Sequence, residues 1–463
     1  MSLPTSGAND DGAPAPLLDI DPTDQPAPAA AAPTRAGADL ALEQVIQRTN
    51  PQAAAPLQYQ VAGHQNVMSD ESGSLVIKPG SPREVAFYHL VAGAPRKEPV
   101  SNLEQFLPKF YGTLQLSGQV GPSGSVQAVE GAENEPENVV LENLAYPFTR
   151  PNILDAKLGT ALHGPDASEE KAARMVKKAE ETTSGATGLR WTGSQTWHEA
   201  SQTFIQTPRE YGYNLTREGF PGALVRYFPL PTDEVPHIPQ PGVVEVREPY
   251  TAHALPPALT ARVLSYIDEE VGRIEAALAK VELRAVGMSV LIVYEGDASV
   301  LGNALDRYEA ARVSRAAKGL ARGHDSDDDD DLGEDSESVD SDDTDEYASG
   351  DDAEPYSAKA DARAAKKAPA LTVKLIDFAH TWMAKGEGAD QGVLKGIATL
   401  RALLQGRLRE VQAWIEVNDP KDAKVVRELI ADREAAAGGS AAAPAPEDKH
   451  KHHFHLFGKH HNK

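Results

Sequence analysis

Residues 325–354 carry seventeen aspartates and glutamates and not one lysine or arginine, from Asp325 through Asp331 to Asp351, Asp352 and Glu354. Such a block repels itself and stays solvated, so it cannot join a packed core. Whatever this chain of 463 residues folds into must be assembled from sequence on both sides of it. The net charge is −24, and removing those seventeen negative charges leaves −7, so the bulk acidity belongs to this one segment. Two readings stand side by side: a passive solubilising loop, and an acidic docking segment for basic partners such as transcription factors or histones. Phosphorylation at Ser326, Ser336, Ser338, Ser341 or Thr344 would deepen the charge.

Both ends are biased as well. Residues 1–55 are rich in Ala, Pro, Gly and Asp, with an apolar patch only at Leu40 to Ile46, and read as a disordered leader. Residues 435–463 read as a disordered tail that turns His-rich at His450, His452, His453, His455, His460 and His461. Clustered imidazoles can take zinc or nickel, but acid or cysteine partners at fixed spacing are missing from this stretch. No apolar run approaches the roughly 20 residues that span a bilayer, and the first thirty residues lack the pattern of a signal peptide. The chain has no cysteine, which excludes disulfides and thiolate chemistry and fits a reducing compartment. These features predict a soluble, intracellular protein; a monomer of nucleus and cytoplasm that does not bind nucleic acid directly is expected. Lys366 and Lys367 beside Arg363 form a thin nuclear signal.

Between these segments the patterning predicts two lobes. Residues 56–144 suit a small β-rich lobe, with strands at Ser74–Lys78, Phe110–Gln115 and Val139–Glu142 around a short helix. Residues 145–434 suit a larger mixed lobe. Leu264, Ile267, Val271, Ile274 and Leu278 recur at spacings of 3 and 4, as do Ile397, Leu400, Leu404, Leu408, Val411 and Ile415, so each set predicts a helix with one buried stripe. Strands are expected at Met288–Tyr294 and Leu371–Ile376, the two halves of a hairpin interrupted by a disordered acidic insert over 303–370. Loop-closure entropy grows slowly with length, so such an interruption is tolerable.

Several residues suggest phosphoryl transfer. Lys78 alternates out of its strand, on the face opposite Leu75 and Ile77, where an ammonium can meet nucleotide phosphates. Glu84 follows in Ser81-Pro82-Arg83-Glu84, which suits either an ion pair that orients Lys78 or a helix capping box. Glu142-Asn143-Leu144 sits where one lobe turns into the other, a place that holds adenine through main-chain groups. The segment Pro151-Asn-Ile-Leu-Asp155-Ala-Lys157-Leu-Gly159 and the later Ile376-Asp377-Phe378-Ala379-His380 place an acid, a lysine and a second acid apart in sequence. Phosphoryl transfer needs such groups, to orient donor and acceptor and to hold a metal ion. On the helix expected over 168–182, Ala172, Met175, Val176 and Ala179 make an apolar face. Lys171, Arg174 and Lys178, at i, i+3 and i+7, fall on a neighbouring one. That row reads as a cradle for a polyanion or as a solvated charged face.

The motifs form an ordered set: Gly63, Lys78-Pro79, Glu84, Phe87-Tyr88, Phe110-Tyr-Gly-Thr113, Leu141-Glu142, PxxxDxKxG at 151–159, Thr183-Ser184, Gly188-Leu-Arg190, Gly193, Met288 to Gly296, and Ile376 to Thr381. In this order they resemble the inositol polyphosphate kinases, and among them the fungal multikinases, over roughly residues 57–415. The resemblance implies an α+β, two-lobed kinase-like fold with a short helical inositol-phosphate-binding insert in the larger lobe. It implies an ATP- and Mg2+-dependent kinase taking inositol trisphosphate and tetrakisphosphate to pentakisphosphate. By the same resemblance Lys78, Glu84, Glu142, Leu144 and Asp155 contact ATP, with Asp155 on the ribose, and Lys157 bridges the γ-phosphate and the acceptor hydroxyl. Asp377 binds the metal, with Ser289 either beside it or packed in the core. Lys157, Lys171, Arg174, Lys178 and His380 contact the inositol phosphate. Only 38 positions separate Asp155 from Gly193, too few for the large substrate insert of the trisphosphate 3-kinases, which predicts an open and tolerant pocket. The alternatives are a hexakisphosphate kinase making diphosphoinositol phosphates, and a transcriptional scaffold acting through the acidic insert.

Overall fold

The computed structural model describes residues 55–57, 67–114, 118–120, 126–128, 137–235, 238, 255–322 and 367–438. The expected leader, the acidic run 325–354 and the His-rich tail lie outside the described residues, and with them the docking and metal-binding readings attached to those segments.

The smaller lobe is built on an antiparallel sheet. Its strands are β1 (Ala55–Pro56), β2 (Met68–Ser69), β3 (Leu75–Pro79), β4 (Phe110–Leu114) and, after a hairpin of β5 (Gly118–Val120) and β6 (Val126–Ala128), β7 (Asn138–Glu142). The spatial order is β1-β2-β3-β7-β4. Between β3 and β4 runs helix α1 (Pro82–Gly93). It starts where Pro82 has no amide to leave orphaned and where Ser81 Oγ accepts from Glu84 N at 3.2 Å. Phe87, Tyr88 and Val91 of α1 are buried beside Leu103 and Phe106 of the 3-10 helix Pro99–Phe106.

The larger lobe centres on five antiparallel strands, β8 (Pro151–Leu158), β9 (Leu189–His198), β10 (Thr203–Thr207), β12 (Ser289–Glu295) and β13 (Leu371–Ile376), in the order β10-β9-β8-β12-β13. A short β11 (Leu283–Ala285) pairs with β14 (Thr381–Met383). The helices are α2 (Glu169–Glu181), α3 (Thr183–Thr187), α4 (Arg209–Asn214), α5 (Phe220–Tyr227), α6 (Pro257–Leu278), α7 (Ala298–Arg322), α8 (Gln391–Asn418) and α9 (Pro420–Gly438). Alternation decides which face does what. Leu154, Ala156 and Leu158 of β8 and Val290 and Ile292 of β12 join one core with the predicted stripes of α6 and α8. The opposite face carries Asp155, Lys157 and Ser289. Toward the lobe junction that face is covered by Ala145 and Phe148, against Ile153 and Val293. Glu295, fully buried, accepts from Thr149 N at 2.7 Å and Arg150 N at 2.9 Å, pinning the junction to the end of β12.

The split hairpin forms as expected: β12 pairs with β13 from Ser289↔Ile376 to Tyr294↔Leu371. Two expectations are corrected. Residues 303–322, placed in the disordered insert, continue helix α7, anchored by the buried Leu301, Ala304 and Leu305; on the other side, Ala368 and Ala370 are buried next to β13. The apolar face read on α2 is not a core face either. Of its four residues only Ala179 is buried, and Val176 is 46% exposed, because one alanine seated near α3 is enough to hold a helix whose other sides meet solvent. Helix α9 also carries the large lobe slightly past the boundary at 434.

Candidate active site

Three elements bring charge together where the lobes meet. Lys78 Nζ, on β3, lies 2.8 Å from Glu84 Oε1 on α1 and 3.1 Å from Asp377 Oδ1, which follows β13. The Glu84 side chain makes the ion pair with Lys78, and only its main-chain amide takes part in the Ser81 cap that opens α1. Burial pulls the Lys78 ammonium down, but Asp377 and Glu84 outweigh that and hold it above its ordinary value. Ser81 Oγ also donates to Ala379 O at 3.0 Å, so one side chain ties the start of α1 to the Asp377 motif. Phe378 stacks on Phe87 with ring centroids 4.5 Å apart and meets the edge of Tyr88 at 5.6 Å. Asp377 itself adopts φ +67, a left-handed conformation that a non-glycine residue keeps only where its surroundings enforce it.

Asp155 and Lys157 share a face of β8, and Ser289 of β12 stands directly opposite Lys157. Lys157 Nζ donates to Gly287 O at 2.6 Å. Asp155 is 4% exposed. Burial raises its carboxyl to about 6, with Asp377 adding to the effect and Lys157 opposing it. The hydroxyls of Ser289 and Thr192 lie close enough to favour the carboxylate without being aligned for a hydrogen bond, and Asp155 Oδ1, Ser289 Oγ and Thr192 Oγ1 are buried with no partner. Ser289 is thus sealed in the sheet with its hydroxyl beside Asp155.

At the lobe junction Glu142 N donates to Lys109 O at 2.9 Å and Glu142 Oε2 accepts from Lys109 N at 3.3 Å. Asn143 N donates to Ser74 O at 2.8 Å and Asn143 Nδ2 to Gly73 O at 2.7 Å. The Glu142 amide is thereby committed to the carbonyl of Lys109, just before β4. Leu144 is buried beside it. Of the cations on α2, Lys171 and Arg174 are exposed, whereas Lys178 turns onto the ring of Tyr213 on α4. His380 is exposed, and its carbonyl accepts from Val286 N at 3.0 Å.

A family model described as inositol polyphosphate kinase matches residues 138–405, more than half of the chain and the whole stretch that carries Asp155, Lys157 and Asp377. The chain belongs to the inositol polyphosphate kinase family. It is a kinase, a phosphotransferase acting on inositol phosphates. It is 28% identical to the inositol polyphosphate multikinase of Saccharomyces cerevisiae over 279 residues, covering 52% of this chain and 72% of the relative. It is 42% identical to a rat inositol hexakisphosphate kinase over 89 residues, 19% of this chain and 21% of that one. Among solved structures, a yeast inositol phosphate multikinase crystallised with ADP and Mn2+ aligns at 24% identity and a TM-score of 0.43, over 72% of this chain and 99% of that one.

Within such a kinase the donor set suits a hard divalent cation. Asp377 and Asp155 sense each other electrostatically, and Asp155 Oδ1 and Ser289 Oγ are buried oxygens without partners. Among the described residues no group of three or more His, Cys, Asp or Glu is poised around one point. The few oxygen donors present suit a divalent cation that takes one or two protein carboxylates, with nucleotide phosphates and water completing its shell.

Three residues of the site carried no assigned role in the sequence reading. Arg190 stands opposite Lys157 in the β8–β9 register, and Arg209 and Tyr213 come from α4. The alternation that exposes Lys157 could have flagged Arg190 once β8 and β9 were known to pair. For α4 no local signal existed.

Proposed function

We propose that the protein is an ATP-dependent inositol polyphosphate multikinase that carries inositol trisphosphate and tetrakisphosphate to pentakisphosphate. The observation that carries this reading is the convergence of Lys78, Glu84 and Asp377 with the β8 face of Asp155 and Lys157, next to a short cation-bearing helix, α2, in place of a large substrate insert. The yeast multikinase is matched over 72% of its length.

In this reading Lys78, held by Glu84, positions the phosphates of ATP. Asp377, with Ser289 and Asp155 behind it, holds Mg2+, which when bound neutralises charge on the transferring group. Lys157, steadied by Gly287 O, meets the γ-phosphate and the attacking hydroxyl. Lys171, Arg174, Lys178 and His380 receive the other phosphates of the acceptor. The acceptor oxygen bonds to the γ-phosphorus while the bond to ADP breaks and the hydroxyl proton passes to a phosphate oxygen or water, so the protein contributes positioning and charge neutralisation rather than a covalent intermediate.

The hexakisphosphate kinases match more closely over a shorter stretch, 42% over 89 residues, so diphosphoinositol synthesis is the second reading. Incubation of the full chain with Mg-ATP and either inositol 1,4,5-trisphosphate or inositol hexakisphosphate, with Lys157→Ala and Asp377→Asn as controls, separates the two. Stepwise conversion of the trisphosphate to pentakisphosphate, lost in both controls, is the expected result. Turnover of the hexakisphosphate alone would transfer the protein to the second reading, and turnover of neither would remove both.

A further inference from the structure

Helix α4 has only six residues, yet it lies hard against β9 because of Gly212. A Cβ there would stand 1.7 Å from Trp191 O, so only glycine permits the approach. The contact lays Tyr213 beside β9, and cations from three elements collect on its ring. Lys178 Nζ of α2 is 4.9 Å from the ring centroid, the Arg190 guanidinium of β9 is 4.9 Å away, and that of Arg209 on α4 is 5.2 Å away. Arg209 Nη2 also donates to Tyr213 Oη at 2.8 Å. One ring attracts three cations but does not neutralise them. Among the described residues none of the three has a carboxylate within ion-pair distance.

Arg190 is the most demanding of the set. It is 5% exposed, and its Nη1 has no hydrogen-bond partner. A buried donor left unpaired is unfavourable, more so when charged, and most structures avoid it. Its register partner is Lys157, so this guanidinium, which meets Tyr213 but leaves Nη1 unpaired, belongs to the same sheet face as the transfer machinery. Lys157 thus neighbours Arg190 across the sheet, and Arg190 shares the Tyr213 ring with Arg209 and Lys178.

We propose that Lys178, Arg190 and Arg209, gathered by Tyr213, form an anion subsite for a phosphate of the inositol phosphate acceptor remote from the hydroxyl being phosphorylated. The inference rests on the kinase reading above and gives its acceptor a second anchor. A phosphate monoester supplies an acceptor for Arg190 Nη1 and for the N–H groups of Arg209 not taken by Tyr213 Oη, and it cancels the repulsion among the three cations. Tyr213 Oη donates to the same group. Burial raises the phenol, but the hydrogen bond from Lys178 and the charges of Arg190, Lys178 and Arg209 outweigh it and bring it down to about 8. At neutral pH it is still a donor. Above pH 8 the phenolate competes with the phosphate for the cations that face it.

The test compares Arg209→Gln and Tyr213→Phe with the unaltered full chain, measuring kcat, the KM for inositol 1,4,5-trisphosphate, the KM for ATP and Tm. Arg209 is exposed, so its variant should fold. Expected are a rise of about tenfold or more in the trisphosphate KM for Arg209→Gln, and no change in the ATP KM or in Tm. In the unaltered chain that KM should climb as pH passes 8, and the climb should vanish in Tyr213→Phe. An unchanged trisphosphate KM in both variants overturns the subsite. The same assay on phosphatidylcholine vesicles containing phosphatidylinositol 4,5-bisphosphate tests the source of the phosphate. An effect confined to the vesicles would assign the subsite to a lipid headgroup and overturn the soluble form. If the unaltered chain phosphorylates no inositol phosphate, the kinase reading fails by itself. Calorimetric titration with inositol hexakisphosphate, weakened by Arg209→Gln or not, then still decides the subsite.

Discussion

Asp155 is a carboxylate held where a carboxylate is expensive. Its carboxyl is raised from 3.8 to about 6, a gap of about 3 kcal/mol at about 1.4 kcal/mol per pH unit. The folded state binds the proton more tightly than the unfolded chain, so stability is highest below the unfolded value. It declines as pH rises from about 4 to about 6, and stays lower above that. Asp155→Asn should therefore raise the unfolding free energy at pH 7 by about 2–3 kcal/mol and flatten the acid-side dependence, while kinase activity falls at least a hundredfold. Denaturant titrations at pH 4 and pH 7 beside an activity assay check both halves. A variant that lost stability at pH 7 would contradict the burial argument. Lys78 is under the opposite constraint. With Glu84 at 2% exposure, Lys78→Met leaves a buried acid unpaired. It should cost about 3–5 kcal/mol in thermal or chemical denaturation, an effect that Lys78→Met combined with Glu84→Gln should relieve. The Lys78–Glu84 pair could be read from six residues of sequence. The partnership of Lys78 with Asp377, 299 positions away, could not, because no local pattern encodes it.

At the scale of elements, Ser81 has two roles that a sequence shows only in part. The capping box is visible as Ser-Pro-Arg-Glu, but the donation from Ser81 Oγ to Ala379 O exists only because the start of α1 meets the segment after β13. Ser81→Ala should lower stability by about 1 kcal/mol, the usual worth of an N-cap. It should also raise the KM for ATP severalfold by loosening Asp377, whereas Ser81→Thr should keep both. Kinetics at several ATP concentrations together with Tm distinguish a lost cap from a displaced motif. Helices α6 and α8 were legible from their stripes, since a long period-3.6 pattern leaves few alternatives. The apolar side of α2 misled for the reverse reason. Ala172, Met175 and Val176 offer a surface helix some contact area, but periodicity alone does not say whether anything lies opposite.

Across the whole molecule, β12 and β13 bracket the acidic run and pair residue for residue. Closing a loop costs only slightly more as it lengthens. Deleting residues 325–354 should therefore leave kcat and KM within about twofold and change stability by less than about 1 kcal/mol. Loss of folding on deletion would show that the run contributes to the fold. Composition and periodicity determined the biased segments and the main helices and strands, and the resemblance of an ordered set of motifs pointed to the two-lobed α+β plan and the family. All of these depend on chemistry local in sequence, such as net charge, apolar period or a capping pattern. Tertiary structure alone decided that Asp377 reaches Lys78, that Asp155 is buried enough to titrate near 6, and that Lys178, Arg190 and Arg209 converge on Tyr213. These depend on which strands are neighbours and on how closely two backbones approach at Gly212, and both are set by packing between segments that the sequence keeps far apart.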